Sequence, residues 1–466
     1  MGDAGIIRNR LKIEAAIHNA GVFLNLREIH GSVAEWLASH HPKSKEDWVR
    51  LLKKTFRFTG GEITGEFLMG IGYLPGSHDP ECPAYDRILR LDPSVDPSDL
   101  RWIVTEALSE DRRDEHTWTA RHYSPPWWLS GAHAQTLAGK YFRASPSGML
   151  TTERIETPDG DFLDLDWMPE TDPSAPLVLV LHGLEGHTRR GYMVQTFLAL
   201  ANRGIRAVGL NFRGCSGEVN RLARFYHSGE TGDVGFVIDL LRGRFPTRLL
   251  TAIGISLGGN VLLKYLGEQG AKNVTPLSAA VAISVPYDLS AGTDALARGG
   301  MARVYVAYFL RSLLAKVRAK REMLADVLDL DTVLGSTTLR EFDDAATAKL
   351  HGFEDAEDYY LRSSSKGFLQ SIRVPTLLLH SLDDPFSPRA ALPISTIEAS
   401  PFLTLILTEG GGHVGFFESG PPWNPAFWME EQSASFLAHH HPGTSATTGH
   451  TNPSAPGWVD PNAENI

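Results

Sequence analysis

Cysteine is almost missing from this chain: Cys82 and Cys215 are the two in 466 residues. Two thiols far apart in sequence cannot staple a disulfide framework, so a reducing compartment is the default. Cys215 stands in a glycine-rich stretch and reads as a small structural residue. Long apolar runs are missing as well. None approaches the ~18–20 residues of a membrane span. The start, Met1-Gly2-Asp3-Ala4-Gly5-Ile6, lacks a signal-peptide core and lacks the Ser or Thr at position 6 that myristoylation favours. Nor is there an excess of positive charge: 44 Lys and Arg face 55 Asp and Glu, a formal net charge of −11. That balance argues against a chain that coats nucleic acid. These absences leave a soluble cytoplasmic protein with no membrane span, long enough for more than one domain. Nothing in the sequence specifies an oligomeric state.

What is present concentrates near residue 256. An apolar run ends in Gly254-Ile255-Ser256-Leu257-Gly258-Gly259, and a helical pattern, Val261-Leu262-Leu263-Lys264-Tyr265-Leu266, follows at once. A strand, a sharp turn carrying a serine, and a helix make a nucleophile elbow. Glycines are needed at 254 and 258 because strand and helix close tightly there, and the serine itself sits on strained backbone. Such a turn exposes Ser256 Oγ at the carboxyl end of a parallel sheet and aims the Leu257 N–H at a developing oxyanion. In a chain with 44 glycines the bare pattern recurs by chance about once in three or four sequences of this composition, so its context carries the weight.

In this arrangement an acid and then a histidine follow the serine. Val374-Pro375-Thr376-Leu377-Leu378-Leu379-His380 reads as a buried strand running into Asp383-Asp384-Pro385. An acid just past a strand end suits the orienting carboxylate. Asp384 is preferred because Pro388 lies four residues on, the usual D-x-x-x-P turn of such enzymes; Asp383 is the fallback. Leu403-Thr404-Leu405-Ile406-Leu407 reads as another strand, and Gly410-Gly411-Gly412 then gives His413 a free loop. Upstream, Leu177-Val178-Leu179-Val180-Leu181 leads to His182-Gly183-Leu184-Glu185-Gly186, where such a fold places its second oxyanion donor, the Leu184 N–H. His182 and His380 each end a strand and read as satisfied core histidines. Ser256 would be the nucleophile, His413 its base and Asp384 the residue that holds the imidazole.

Further stretches accompany these: Pro125-Pro126-Trp127-Trp128, His133-Ala134-Gln135-Thr136-Leu137, Asn211-Phe212-Arg213-Gly214-Cys215-Ser216-Gly217-Glu218, Asn220-Arg221-Leu222, Tyr226-His227-Ser228-Gly229-Glu230-Thr231 and Arg340-Glu341-Phe342-Asp343-Asp344. On these residues the segment from about 123 to 440 resembles the YheT-like branch of the α/β-hydrolases, a family of predicted esterases and lipid-related hydrolases. The resemblance implies the α/β-hydrolase fold and maps the family's triad onto Ser256, Asp384 and His413.

The elements fit that fold class: α/β, a mostly parallel central sheet with a helical lid insertion, preceded by a small all-α segment. A hairpin is expected over 154–167, turning at Pro158-Asp159-Gly160. Short apolar strands are expected at 177–181, 206–210, 249–255 and 279–284, separated by helices near 192–202, 233–244 and 260–268. Residues 289–370 break this rhythm with helical patterns, where such folds carry a lid over the acyl pocket. Residues 441–466 turn to Ser, Thr, Gly, Pro and Asn and are expected to be disordered, with His439-His440-His441 a solvated tail rather than a metal site. The hydrolase domain is thus placed at 120–440.

Residues 1–115 are a separate helical segment, with capping signals at Ser32-Val33-Ala34-Glu35 and Ser44-Lys45-Glu46-Asp47. Ile7, Leu11, Ile17, Phe23 and Leu26 recur near helical spacing. Residues 1–58 hold ten Lys and Arg against six Asp and Glu, opposite to the acidic whole. Arg8-Asn9-Arg10, Lys12-Ile13-Glu14-Ala15, Ile17-His18-Asn19-Ala20, His30-Gly31-Ser32, Phe56-Arg57-Phe58-Thr59-Gly60 and His78-Asp79-Pro80-Glu81-Cys82 carry a second resemblance. Residues ~5–85 resemble the C-terminal part of 3-methyladenine DNA glycosylase I. That family holds its catalytic acid and aromatic base pocket in its N-terminal half, which has no counterpart here. Of its four zinc ligands only His78 and Cys82 match, and structural zinc wants four. The segment is therefore expected to be non-catalytic, and His78 with Cys82 a residual half-site rather than a metal centre.

The expected function is a serine carboxylic-ester hydrolase. It would act on a small-molecule acyl or lipid ester through an acyl-enzyme, with no cofactor and no nucleic-acid partner. The alternatives are an acyltransferase using the same triad with an alcohol in place of water, or a DNA base-excision repair or DNA-binding role for the N-terminal segment.

Overall fold

The computed structural model describes residues 10–57 except 32 and 42, residues 64 and 68, and residues 118–441 except 144, 146, 147, 419 and 421–424. The chain divides into two compact units between Thr117 and Trp118.

In the first unit, α1 (Arg10–His30), α2 (Val33–Ala38) and α3 (Lys45–Thr55) gather around Leu26, Trp36, Trp48, Leu52 and Phe56. Ser44 caps α3, its hydroxyl accepting the Asp47 N–H, as its place in the sequence pattern indicates. Phe23, one of the residues that recur near helical spacing, is 44 % exposed and meets Phe56 at 5.0 Å between ring centres. A cluster this small has more rim than interior. His78 and Cys82 lie outside the described residues, as do Ser32 and Ile7.

The second unit is built on an eight-stranded sheet of order β1-β2-β4-β3-β5-β6-β7-β8. The strands are β1 (Thr151–Glu156), β2 (Phe162–Trp167), β3 (Leu177–Leu181), β4 (Arg206–Asn211), β5 (Leu250–Ile255), β6 (Ala280–Ile283), β7 (Thr376–Ser381) and β8 (Leu403–Thr408). β2 pairs antiparallel with β1 and β4; every other pairing is parallel. β1 starts three residues before the expected Arg154, because Thr151 to Glu153 continue the register opposite Leu165 to Trp167.

The central strands are largely apolar, β3 and β6 throughout, because both faces are covered. Alternation sends Leu177, Leu179 and Leu181 toward α6 (Thr231–Arg244) and α7 (Leu257–Gly270). Val178 and Val180 face α5 (Gly191–Ala201) and α11 (Trp428–His439). Burying each such side chain is worth about 1.5–3 kcal/mol. Ahead of the sheet in the chain stands α4 (Ala132–Phe142), a helix absent from the expected elements.

Between β6 and β7 the chain leaves the sheet for a helical insertion that includes α8 (Leu289–Leu296), α9 (Gly300–Ala319) and α10 (Ala356–Ser363). The insertion has its own apolar core, with Leu310, Val317, Leu324, Val333 and Phe342 among its members, and a π-helical turn at Asp343–Thr347. After α11, His441 is buried rather than part of a solvated tail, because α11 packs on the sheet and carries its C-terminal end with it; residues 442–466 lie outside the described residues. Among the described residues no helix is long and apolar enough to cross a membrane.

Candidate active site

The strand order reverses at β3, which lies between β4 and β5. In open α/β sheets the crevice at such a switch point, beyond the carboxyl ends of the strands, is where ligands bind. Two turns enter it here: His182–Gly186 after β3, and Ser256 after β5.

Ser256 holds φ +55° and ψ −119°, outside the basins a side-chain-bearing residue prefers. The surrounding glycines make that geometry reachable. A Cβ on Gly258 would meet the Leu181 and His182 carbonyl oxygens at 2.6 Å, and one on Gly254 would meet the Gly258 oxygen at 2.5 Å. The turn is pinned by the Ser256 N–H donating to the Ile283 carbonyl at 2.8 Å.

His413 reaches Ser256 from the loop after β8. Its Nε2 lies 2.8 Å from Ser256 Oγ, and its Nδ1 lies 2.8 Å from Asp384 Oδ2. The loop is fastened at three successive amides: Gly412 N–H to Asp383 Oδ1 at 2.7 Å, His413 N–H to Thr136 Oγ1 at 2.9 Å, and Val414 N–H to Ser284 Oγ at 3.1 Å. Asp383, the fallback acid, thus binds the loop backbone and the Ser381 hydroxyl instead of the imidazole. The Phe386 ring stacks on His413 at 4.3 Å. Arg143, buried with Glu430 at 2.7 Å, donates to the Val414 and Gly415 carbonyls and braces the loop from behind. Thr136 stands in one of the stretches that carry the family resemblance, but its use is not legible there, because its partner is 277 residues away.

Asp384 is fully enclosed. Burial alone would raise its carboxyl, but the charge and hydrogen bond of His413, with the Phe386 N–H, hold it below the usual carboxylate range. His182, at the end of β3, accepts the Phe212 N–H at Nε2 and is satisfied, and burial pushes its imidazole down to about 3. His380 differs from the expectation of a satisfied histidine. It is buried, neither ring nitrogen has a hydrogen-bond partner among the described residues, and Nε2 lies 4.0 Å from Asp384 Oδ2. Asp384 spends its close contacts on His413 and Phe386, which leaves His380 out of reach.

The Leu257 N–H opens α7, and the Leu184 N–H sits on the turn whose neighbour Gly183 packs against Ser256. A Cβ on Gly183 would meet Ser256 Cβ at 3.1 Å. Among the described residues neither amide donates to another protein group. Ser256 and His413 share a cavity of about 120 Å³ with Leu296, Phe309 and Phe342 of the insertion and with Phe386.

Among the described residues one group has metal-ligand composition: His227, Glu230 and His351, with ligand atoms within 4.8 Å of one another; its two histidines line the cavity. Its electrostatics oppose a cation. Glu230 is already paired with Arg224 and accepts the Gly232 N–H, and His227 Nδ1 accepts the Gly229 N–H.

A family model described as the α/β hydrolase fold matches residues 176–420. A methyladenine glycosylase family model matches residues 1–57, a shorter stretch than the ~80 residues of the sequence resemblance. YheT of Escherichia coli, which bears an esterase name, is 37% identical over 323 residues, 68% of this chain and 94% of its own length. Phospholipase ABHD3 of Mus musculus is 32% identical over 68% of this chain and 78% of its own length. Monoacylglycerol lipase of Saccharomyces cerevisiae is 32% identical over 54% and 58%.

Proposed function

The chain belongs to the α/β-hydrolase family, and from that premise we propose that it is a serine carboxylic-ester hydrolase whose triad is Ser256, His413 and Asp384. The observation that carries the proposal is the unbroken relay of two 2.8 Å contacts from Asp384 through His413 to Ser256 Oγ, opening on an apolar cavity. An esterase, a phospholipase and a monoacylglycerol lipase among its relatives favour an acyl or lipid ester as substrate.

In this mechanism Ser256 Oγ attacks the ester carbonyl carbon while its proton passes to His413 Nε2. The negative oxygen of the tetrahedral intermediate is held by the Leu184 and Leu257 N–H groups. Collapse breaks the ester C–O bond, and the imidazolium returns the proton to the departing alcohol. Water, giving its proton to His413 Nε2, then attacks the acyl carbon; collapse breaks the bond to Ser256 Oγ, which takes the proton back from His413 as the acid leaves. Asp384 stays ionised throughout, holding the tautomer with Nδ1–H toward itself. The insertion between β6 and β7 serves as the lid over the acyl chain. Residues 1–117 supply none of these groups and are non-catalytic.

A fluorophosphonate probe tests the assignment. Ser256→Ala is expected to abolish labelling and ester turnover with the fold retained by circular dichroism. Labelling that persists at another serine would overturn it.

A further inference from the structure

We propose that Glu185 and Lys316 are positioning residues that tie the Leu184 oxyanion donor to closure of the helical insertion over the pocket. The proposal rests on the serine-hydrolase reading and adds a control on the same site.

Glu185 follows Leu184 directly and holds φ +52°, a left-handed conformation that a non-glycine residue keeps only where its surroundings impose it. The backbone of the turn is thinly restrained. Gly186 N–H donates to the Gly183 carbonyl at 3.0 Å, and Glu185 N–H donates to Tyr226 Oη at 2.7 Å. On its Gly183 side the turn is also held by the Tyr192 hydroxyl, which accepts the Gly183 N–H at 3.1 Å, and by His182 Nδ1 at 2.8 Å from the Gly183 carbonyl; past Leu184 the restraint comes through the Glu185 side chain, whose carboxylate is buried. It accepts from Tyr226 O–H at 2.9 Å, from Lys316 Nζ at 2.7 Å and from the Ser312 hydroxyl.

Two of those three donors belong to α9. Ser312 and Lys316 are four residues apart, hence on one face of that helix, and they converge on one carboxylate. Lys316 also donates to Cys215 Sγ at 3.2 Å and lies 5.2 Å from the centre of the Tyr226 ring. Glu185, Lys316 and Leu184 all line the cavity that holds Ser256. While α9 is docked, a strained residue beside the oxyanion donor is clamped at both its amide and its carboxylate. If α9 lifts, the carboxylate loses its charge partner and two of its three donors, and the turn loses the clamp that aims the Leu184 N–H. An oxyanion donor works by being aimed in advance, so the hole is complete only over a covered pocket.

A lid latch with no effect on the hole would change substrate affinity and stability alone. The discriminating readout is the ratio of kcat for an ester to kcat for the matching thionoester, because a thiocarbonyl sulfur accepts hydrogen bonds weakly and gains little from the hole. Lys316→Met and Glu185→Gln in the full chain are expected to lower ester kcat about tenfold to 100-fold, short of the roughly 10²–10³ that loss of an oxyanion donor costs. KM should stay within about threefold and the ester-to-thionoester ratio should fall by the same factor as kcat. Should either single variant fail to fold, the double variant removes both charges together and Ser312→Ala removes one hydrogen bond and no charge; the same ratio is read on them. A folded variant with wild-type ester kcat, or one in which ester and thionoester fall equally, overturns the proposal. Ester turnover surviving in Ser256→Ala would instead overturn the serine-hydrolase reading, and this inference with it.

Discussion

At the scale of single residues, two neighbouring aspartates do different work. Asp384 meets the imidazole at 2.8 Å, whereas Asp383 holds the Gly412 N–H at 2.7 Å. Asp384→Asn is expected to lower kcat by about 10⁴-fold, by imposing the wrong imidazole tautomer. Asp383→Asn keeps an acceptor for the amide and should cost far less; steady-state kinetics on the pair checks this, and the reverse order would exchange their roles. On the proposed triad the three residues would act as a unit, so Asp384→Ala combined with His413→Ala should be little worse than His413→Ala alone. A third aspartate offers a pH signature. Burial pushes the Asp343 carboxyl up to about 6, against the opposing hydrogen bonds from Thr347 and Tyr360. A raised carboxyl pKa contributes stability that is full below about pH 4, where the unfolded chain is protonated too, and is lost as pH rises through about 6. The shift corresponds to at most about 3 kcal/mol. Urea midpoints of the wild type and Asp343→Asn from about pH 4 to 8 should therefore show the wild type losing ground to the variant mainly between about pH 4 and 7, then levelling. A flat difference would place the carboxyl in a wetter site.

At the scale of elements, the elbow and the histidine loop depend on fits that no single element contains. Gly258 faces the carbonyls that end β3, so Gly258→Ala forces α7 away from that strand. Both stability and kcat should fall, and a variant with intact kcat would show that the elbow has slack. Arg143 stands just beyond α4, yet it pairs with Glu430 of α11 and donates to Val414 and Gly415 of the loop. Removing one partner of such a buried pair typically costs about 3–5 kcal/mol. Arg143→Met should show this in thermal or urea unfolding and should also slow turnover by releasing the His413 loop. The signal for Arg143 is faint in the sequence. It is a lone arginine after a stretch notable for other residues, and all three of its partners lie more than 270 positions away.

At the scale of the whole molecule, the chain carries separate cores. The N-terminal helices close on Trp36, Trp48 and Phe56, while the sheet, the triad and the insertion all lie beyond Trp118. A chain starting at Trp118 is expected to fold and to keep ester kcat/KM within about threefold, since a domain with its own core folds independently. Insolubility or loss of activity would show that residues 1–117 contribute to the hydrolase. The π-helical turn at Asp343–Thr347 and the exposed edge position of Phe23 also belong to this scale, because they depend on what packs around a segment rather than on its own pattern.

Local chemistry was enough to determine the strand–turn–helix at Ser256, the largely apolar central strands, the cap at Ser44 and the chain order of Ser256, Asp384 and His413. Each of these follows from a side-chain period, a glycine that must lack a Cβ, or a turn residue, all properties of a few consecutive positions. The preference for Asp384 over Asp383 leans on one proline, and the 2.8 Å contact with His413 supports it. Tertiary structure alone brought Thr136, Ser284 and Arg143 to the histidine loop, left His380 buried with no hydrogen-bond partner among the described residues, and set Lys316 of the insertion against Glu185 beside Leu184. Those contacts join residues from 130 to 277 positions apart, and no local pattern encodes which distant surfaces will meet when the layers close on the sheet.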